Sequence, residues 1–444
     1  MYLLYSFILT IGFLFLLPRF LWDALRKGKY AAGIGEKLGF LPEFEPRGKP
    51  VVWLHCVSVG ETQAARPLAR AVLENFPDHT LVVSTTTRTG QNLAREIFKT
   101  DAALVFYFPL DWRFVVRRVL RKINPSVVLI METEIWFNFL REAKNQGARV
   151  TLVNGRLSEK SFKNYRMIRG FMQSALANFD LVLMSAKTDA ERIIELGCDP
   201  EKVFVTGNVK FDLVLKESDL TETFRERFAF DEARPLIIAA STHAPEERWI
   251  LEAFRIVHAQ FTQNPPRLLI VPRHPERFAE VAALMERSGF PFSRRSNEVS
   301  VNDKFAEMIL LDSIGELRAV YPLTRLVFVG GSLIPHGGQN ILEPAAAKKP
   351  IVTGFYTTNF AAIVKEFVKQ TAVVQLPEME ENEIPAKLAE VFRELLENKS
   401  YSQSIAGNAL AVLNANRGAT DSTIKKLQTI FPGTQPEIKK TEIE

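Results

Sequence analysis

The chain has 444 residues, 47% of them hydrophobic and 24% charged, which excludes a disordered polymer and exceeds one ordinary core, so two domains of roughly 200 residues are expected. A net charge of +5 without any lysine–arginine tract excludes a nucleic-acid specialist and suits anionic partners such as a phospholipid surface. Two cysteines far apart, Cys56 and Cys198, exclude a disulfide framework, and no Cys/His spacing resembles a zinc site.

Residues 1–18 carry no charge, and Arg19, Arg26, Lys27, Lys29 and Lys37 follow them. A helix of about 18 residues rises about 27 Å, just enough to span a hydrocarbon core. No basic residue precedes the run and no small-residue cleavage site follows it, so it is not a signal peptide. The basic flank lies on the C-terminal side and keeps the protein body cytoplasmic. The reading is a membrane anchor over 1–40, with 29–40 as an amphipathic interfacial segment.

From residue 51 the pattern alternates strand and helix. Strands are predicted over 51–55, 80–84, 104–106, 126–131, 149–153, 181–184 and 203–205, separated by helices over 62–75, 90–98, 112–122, 135–146, 165–178 and 187–196. The strands are continuous apolar runs, which places them in a parallel sheet buried on both faces. The first domain therefore covers 41–215. A charged stretch without strand character, 215–234, marks the crossover. The rhythm then restarts with strands over 236–240, 267–271, 308–311, 326–329 and 350–352, giving a second domain over 216–425 and a polar tail over 426–444. Two such domains imply a cleft between the carboxyl ends of two sheets, where ligands bind at switch points.

Chemistry-bearing residues fall at those carboxyl ends. Glu61 follows the first strand and opens its helix, which fits either a general base for an acceptor hydroxyl or a dipole partner of the helix. Glu132 and Glu134 follow the apolar strand 126–131, and a carboxylate there is costly unless it binds something or caps a helix. Lys210 ends the last strand of the first domain, placed to meet a phosphate or to stay solvated. In the second domain Ser241-Thr242-His243 can begin a phosphate nest. Pro272-Arg273-His274 follows the next strand, and Arg273 pairs naturally with phosphate oxygens. Ile314-Gly315-Glu316 follows another. The glycine-rich turn Gly330-Gly331-Ser332 runs to Gly337-Gly338-Gln339-Asn340-Ile341-Leu342-Glu343, where backbone N–H groups and a helix over 340–348 can hold a phosphate and Glu343 can accept from ribose hydroxyls. No Asp-x-Asp, Walker A, Gly-x-Ser-x-Gly or His-Glu-x-x-His motif occurs, so no metal-ligand set or cofactor is expected and the transfer is read as metal-independent.

Taken in order, these landmarks resemble the 3-deoxy-D-manno-octulosonic acid (Kdo) transferases. The resemblance runs to about Ala419. It rests on His55-Cys56-Val57-Ser58-Val59-Gly60-Glu61-Thr62, Ile130-Met131-Glu132-Thr133-Glu134, Asn154-Gly155-Arg156-Leu157-Ser158 and Gly207-Asn208-Val209-Lys210-Phe211-Asp212. It continues through Ser241-Thr242-His243, Val271 to Phe278, Ile314-Gly315-Glu316-Leu317 and Phe328 to Leu333. The resemblance implies a GT-B α/β fold with two Rossmann-like domains, the donor CMP-Kdo, and as acceptor a phosphorylated lipid A precursor at the bacterial inner membrane. It assigns Glu61 as proton acceptor and Glu132 and Lys210 as transition-state stabilisers. Pro272, Arg273, Ile314, Gly315, Glu316, Asn340, Ile341, Leu342 and Glu343 are assigned to CMP. Attack from the face opposite CMP implies inversion. The alternatives are a membrane-associated GT-B enzyme using a UDP-sugar and a lipid-linked acceptor, or an idle scaffold of the same fold.

Overall fold

A computed structural model describes residues 2–27, 33–46, 48–213, 218–231 and 233–431. The chain forms two compact units: the first comprises residues 1–212 and 416–444, the second residues 213–415.

The first unit is built on seven parallel strands: β1 (Val51–His55), β2 (Thr80–Thr85), β3 (Leu104–Tyr107), β4 (Pro125–Met131), β5 (Arg149–Gly155), β6 (Leu181–Met184) and β7 (Val203–Val205), in the order β3-β2-β1-β4-β5-β6-β7. Parallel pairing with helical crossovers buries both faces of the central strands, which is why they are mainly apolar. Trp53 is fully buried on β1, with its ring against Phe106 and Phe139 and its indole N–H donated to Ser84 Oγ at 2.7 Å. Strand order reverses between β1 and β4, so this unit's topological switch point lies at their carboxyl ends.

The second unit repeats the design with β8 (Leu236–Thr242), β9 (Arg267–Pro272), β10 (Phe292–Arg294), β11 (Met308–Leu310), β12 (Leu326–Val329), β13 (Ile351–Thr353) and β14 (Val374–Gln375), in the parallel order β10-β11-β9-β8-β12-β13-β14. Its switch point lies between β8 and β12. The edge strands β10 and β14 were not expected from sequence. They are three and two residues long, too short for an apolar run.

The expected boundary at residue 425 needs correction. The second unit closes at Ala415, and the last helix, Ala419–Leu427, returns to the first. Ala419, Ile424, Leu427 and Phe431 share one buried cluster with Ala65, Leu68, Val72 and Phe76 of the helix Val59–Asn75. The rings of Phe76 and Phe431 stack at 3.7 Å. Asp212 fixes the re-entry, accepting from the N–H groups of Gly418 at 2.7 Å and Thr420 at 2.5 Å. Of the expected polar tail, 432–444 lie outside the described residues.

The N-terminal apolar run is helical, Tyr2–Lys27, but among the described residues no helix is long and apolar enough to cross a membrane. The spanning anchor expected from sequence is therefore not supported. One face of this helix packs on its own unit. Tyr5 donates its hydroxyl to Asp111 Oδ2 at 2.8 Å, Tyr2 donates to the Ser174 carbonyl at 3.0 Å, and Phe13 meets Trp112 edge-on at 4.7 Å. Leu3, Phe7, Ile8, Ile11, Leu14 and Phe15 point away from the protein and are at least half exposed. Lys29 and the side chains of Arg19, Arg26 and Lys27 lie outside the described residues; of the expected 29–40 segment, the described part is helical only at Ile34–Lys37.

Candidate active site

In the first unit the helix Val59–Asn75 starts directly after β1, with Ser58 as its N-cap residue in extended conformation. The Ser58 hydroxyl makes no capping bond; it donates instead to Glu61 Oε1 at 3.1 Å. The Val57 N–H donates to Glu61 Oε2 at 2.8 Å. Glu61 is thereby held in the first turn at 9% exposure. Burial pushes its carboxyl up to about 7, from an ordinary value near 4.5. The Val57 bond works against the rise, and the nearby charges of Glu132 and Glu134 add to it. A carboxylate poised near neutral pH suits general base catalysis better than a surface carboxylate does.

Glu132 follows β4, the neighbour of β1 across the switch point. Its backbone lies in the left-handed region at φ 56°, an uncommon conformation for a residue with a side chain. Its Oε1 accepts from Lys210 Nζ at 2.7 Å, and Arg156 Nη1 lies 3.8 Å away. Lys210 comes from the short 3₁₀ turn Val209–Asp212, whose first N–H is held by the side chain of Asn154 at 3.1 Å. Glu61, Glu132 and Lys210, scattered over 150 positions of sequence, therefore share one charged neighbourhood. Arg156 joins them; its place in the motif Asn154-Gly155-Arg156 was the available signal. The Glu134 carboxyl is also raised by burial.

In the second unit the expected nucleotide residues follow β9, β11 and β12 of one parallel sheet. Pro272 ends β9 and is buried, while Arg273 beside it is exposed. Ile314 is 77% exposed after β11, next to Gly315 at φ 86°. Glu316 accepts from Arg295 Nη2 at 2.9 Å and from the Ser313 hydroxyl. Asn340 spends its side-chain oxygen on the Leu342 N–H at 3.0 Å, and Glu343 pairs with Arg318 at 2.8 Å. Ile341 and Leu342 are buried, so only their backbone can meet a ligand.

Two expectations about the glycine-rich turn are overturned. The helix that follows is only five residues, Leu342–Ala346, so little macrodipole builds up there. The N–H groups of the turn itself already have an anion. The fully buried Glu246 carboxylate accepts from Gly331 at 2.7 Å, Ser332 and Leu333 at 3.0 Å each, and His243 at 2.9 Å. Burial raises the Glu246 carboxyl, and these four bonds oppose that rise. The Ser241-Thr242-His243 nest is thus also turned inward, because His243 donates its N–H to Glu246 rather than outward. Gly330 is required here, since a Cβ would fall 2.7 Å from Thr242 Cα and 2.9 Å from the Glu246 carboxylate.

Three histidines converge on this same sheet edge: His243 of the expected phosphate nest, His274 of the expected Arg273 loop, and His336 of the glycine-rich turn. His243 is 6% exposed, and neither ring nitrogen makes a hydrogen bond of good geometry, although the Ser241 backbone lies close to the ring. Its ring lies 4.1 Å from that of His336 and 5.2 Å from that of His274. Burial, with His336, His274 and Arg273 nearby, lowers the His243 imidazole to about 4, so the ring is neutral.

A family model described as 3-deoxy-D-manno-octulosonic-acid transferase (kdotransferase) matches residues 32–213. A 3-deoxy-D-manno-octulosonic acid transferase of Haemophilus influenzae is 33% identical over 91% of this chain and 93% of its own length. One of Chlamydophila psittaci is 32% identical over 79% of this chain and 80% of that protein. The crystal structure of Anabaena Alr3699/HepE in complex with UDP and glucose matches 86% of this chain and 99% of that chain with a TM-score of 0.55, and at 14% identity it speaks for the fold alone.

Proposed function

Since this chain belongs to the 3-deoxy-D-manno-octulosonic acid (Kdo) transferases, glycosyltransferases of lipopolysaccharide biosynthesis, we propose that Glu61 is the base of Kdo transfer from CMP-Kdo to a hydroxyl of a phosphorylated lipid A precursor. Family membership weighs against the UDP-sugar alternative. The observation that carries the assignment is the buried Glu61 carboxyl, set near 7 and held by two hydrogen bonds beside the Glu132–Lys210 pair.

The chemistry follows from that setting. The Glu61 carboxylate takes the proton of the acceptor hydroxyl as its oxygen attacks the anomeric carbon of Kdo. The bond to CMP breaks, and its electrons leave with the phosphate. Attack opposite the leaving group inverts the anomeric configuration. Oxocarbenium character and the donor carboxylate call for a fixed arrangement of charge, and Glu132 with Lys210 supplies one that needs no reorganisation. Arg273 and the backbone of 339–343 are the proposed partners of the CMP phosphate, with Ile314, Gly315 and Glu316 towards the nucleoside. Base catalysis contributes about 10²–10⁴-fold.

The outward face of the N-terminal helix suits a lipid surface. Its exposed leucine, isoleucine and phenylalanine side chains recur every three or four residues along one stripe, while the opposite stripe is anchored to the protein by Tyr2, Tyr5 and Phe13. Such a helix lies in the interfacial plane. That mode of docking would present the enzyme to a lipid acceptor at the cytoplasmic face of the inner membrane.

The test is mass spectrometry of products from CMP-Kdo and a lipid A precursor, with the wild-type chain and Glu61→Gln. A product mass increased by Kdo with the wild type, and its loss with the variant while CMP binding persists, is expected. Full turnover by Glu61→Gln removes Glu61 as base.

A further inference from the structure

We propose that His243, His274 and His336 form a binding site for one borderline transition-metal ion of the zinc class. The chain has six histidines, and half of them meet at this point. One nitrogen from each lies within 4.8 Å of the others. A tetrahedral zinc ion with bonds of about 2.0–2.1 Å sets its nitrogens roughly 3.4 Å apart, so an adjustment of about an ångström completes the set. The side chain of His274 is 45% exposed and that of His336 is also exposed, so rotation of these two can supply it.

The fixed member is His243. Its ring is buried, and neither nitrogen makes a hydrogen bond of good geometry, the Ser241 backbone offering only a weak contact, a state that ordinarily costs free energy. The backbone is shaped to hold His243 there. Ser241 sits at φ 57°, and the β8–β9 register shifts between Ala240 and Thr242, a bulge that re-aims the residues after it. Gly331, at φ 65°, leaves room for the ring, since a Cβ would lie 3.3 Å from it. Glu276 Oε1 lies 3.7 Å from His274 Nδ1, the kind of neighbour that orients a ligating ring.

An all-nitrogen set selects zinc, cobalt, nickel or copper over magnesium or calcium. Three protein ligands leave one position open on the exposed side, where water or an oxygen of an anionic ligand can bind. Arg273 is solvent-exposed, which weakens but does not remove its repulsion of the ion. The absence of Asp-x-Asp says nothing about this donor set.

The probe is Co²⁺ or Zn²⁺ titrated into the untagged full chain, without nucleotide. Saturation at one equivalent, visible absorption of the Co²⁺ form typical of a low-symmetry nitrogen site, and displacement by Zn²⁺ but not Mg²⁺ are expected. His274→Ala and His336→Ala change exposed side chains and leave folding intact. Each is expected to weaken Co²⁺ binding by more than the roughly 10–100-fold that loss of a supporting partner costs. No saturable equivalent, or wild-type binding by the double variant His274→Ala/His336→Ala, overturns the site.

Discussion

Ser58→Ala tests whether the Glu61 carboxylate is set for its task by the groups around it. The hydroxyl is 3.1 Å from Glu61 Oε1 and caps nothing else in its helix, so its loss acts chiefly on that carboxylate. A hydrogen bond to a charged group is worth about 1.5 kcal/mol at the lower end. That is roughly one pKa unit, which moves Glu61 from about 7 to roughly 8. At pH 7 the ionised fraction falls from about one half to about one tenth, so kcat/KM for Kdo transfer falls roughly fivefold. At pH 9 both enzymes are almost fully ionised and their rates converge. The assay is the pH profile of kcat/KM from about pH 5.5 to 9.5, with Ser58→Thr as a variant that keeps the hydroxyl and the wild-type limb. An acidic limb that stays in place, or a fall of equal size at every pH, refutes the reasoning.

Glu61→Gln should lose at least about 10²-fold in kcat with CMP affinity kept. The same variant should be more stable than wild type at alkaline pH. Burial raises the folded-state carboxyl from 4.5 to about 7, so the charged form is disfavoured in the fold and stability is lost as pH rises through that window. Relief of about 3 kcal/mol above pH 7, and none below about pH 4.5, is expected from denaturant titration. Lys210→Ala leaves Glu132 with Arg156 at 3.8 Å as its nearest cation, and a fall of roughly 10²-fold in kcat is expected, with Lys210→Arg recovering part of it. Glu246→Gln places an amide among four backbone donors; a loss of about 3 kcal/mol in unfolding free energy is expected, and an unchanged midpoint contradicts the assigned bonds. Phe7→Asp with Ile11→Asp should abolish sedimentation with anionic vesicles while leaving the packed face, and hence the melting temperature, nearly unchanged.

The seven strands of the first unit were legible because each is an unbroken apolar run that only a two-sided parallel sheet requires. The placement of Glu61, Glu132 and Lys210 near the carboxyl edge was legible because they closely follow such runs, while the role of each was an implication of the resemblance. What escaped depended on distant partners. Nothing near Gly330 reveals that its turn is already satisfied by a carboxylate 84 or more residues upstream. The three histidines are separated by 31 and 62 positions, so no spacing motif joins them. The helix Ala419–Leu427 has an apolar stripe, but a stripe does not name the surface it covers, and sequence proximity assigned it to the wrong unit. The N-terminal run was apolar enough to suggest a span, yet Tyr2, Tyr5 and Ser6 gave one side hydrogen-bonding groups that find protein partners.

The helix that carries Glu61 is roofed by residues the ribosome adds only after the whole second unit. Leu427 and Phe431 cover Leu68, Val72 and Phe76, so that apolar surface stays bare throughout translation of the second unit. Deleting residues 416–444 would therefore uncover the helix that carries a group more than 350 positions upstream. Cleavage ahead of Ala419 would reach the proposed base by this route, without touching any residue proposed to bind sugar or nucleotide.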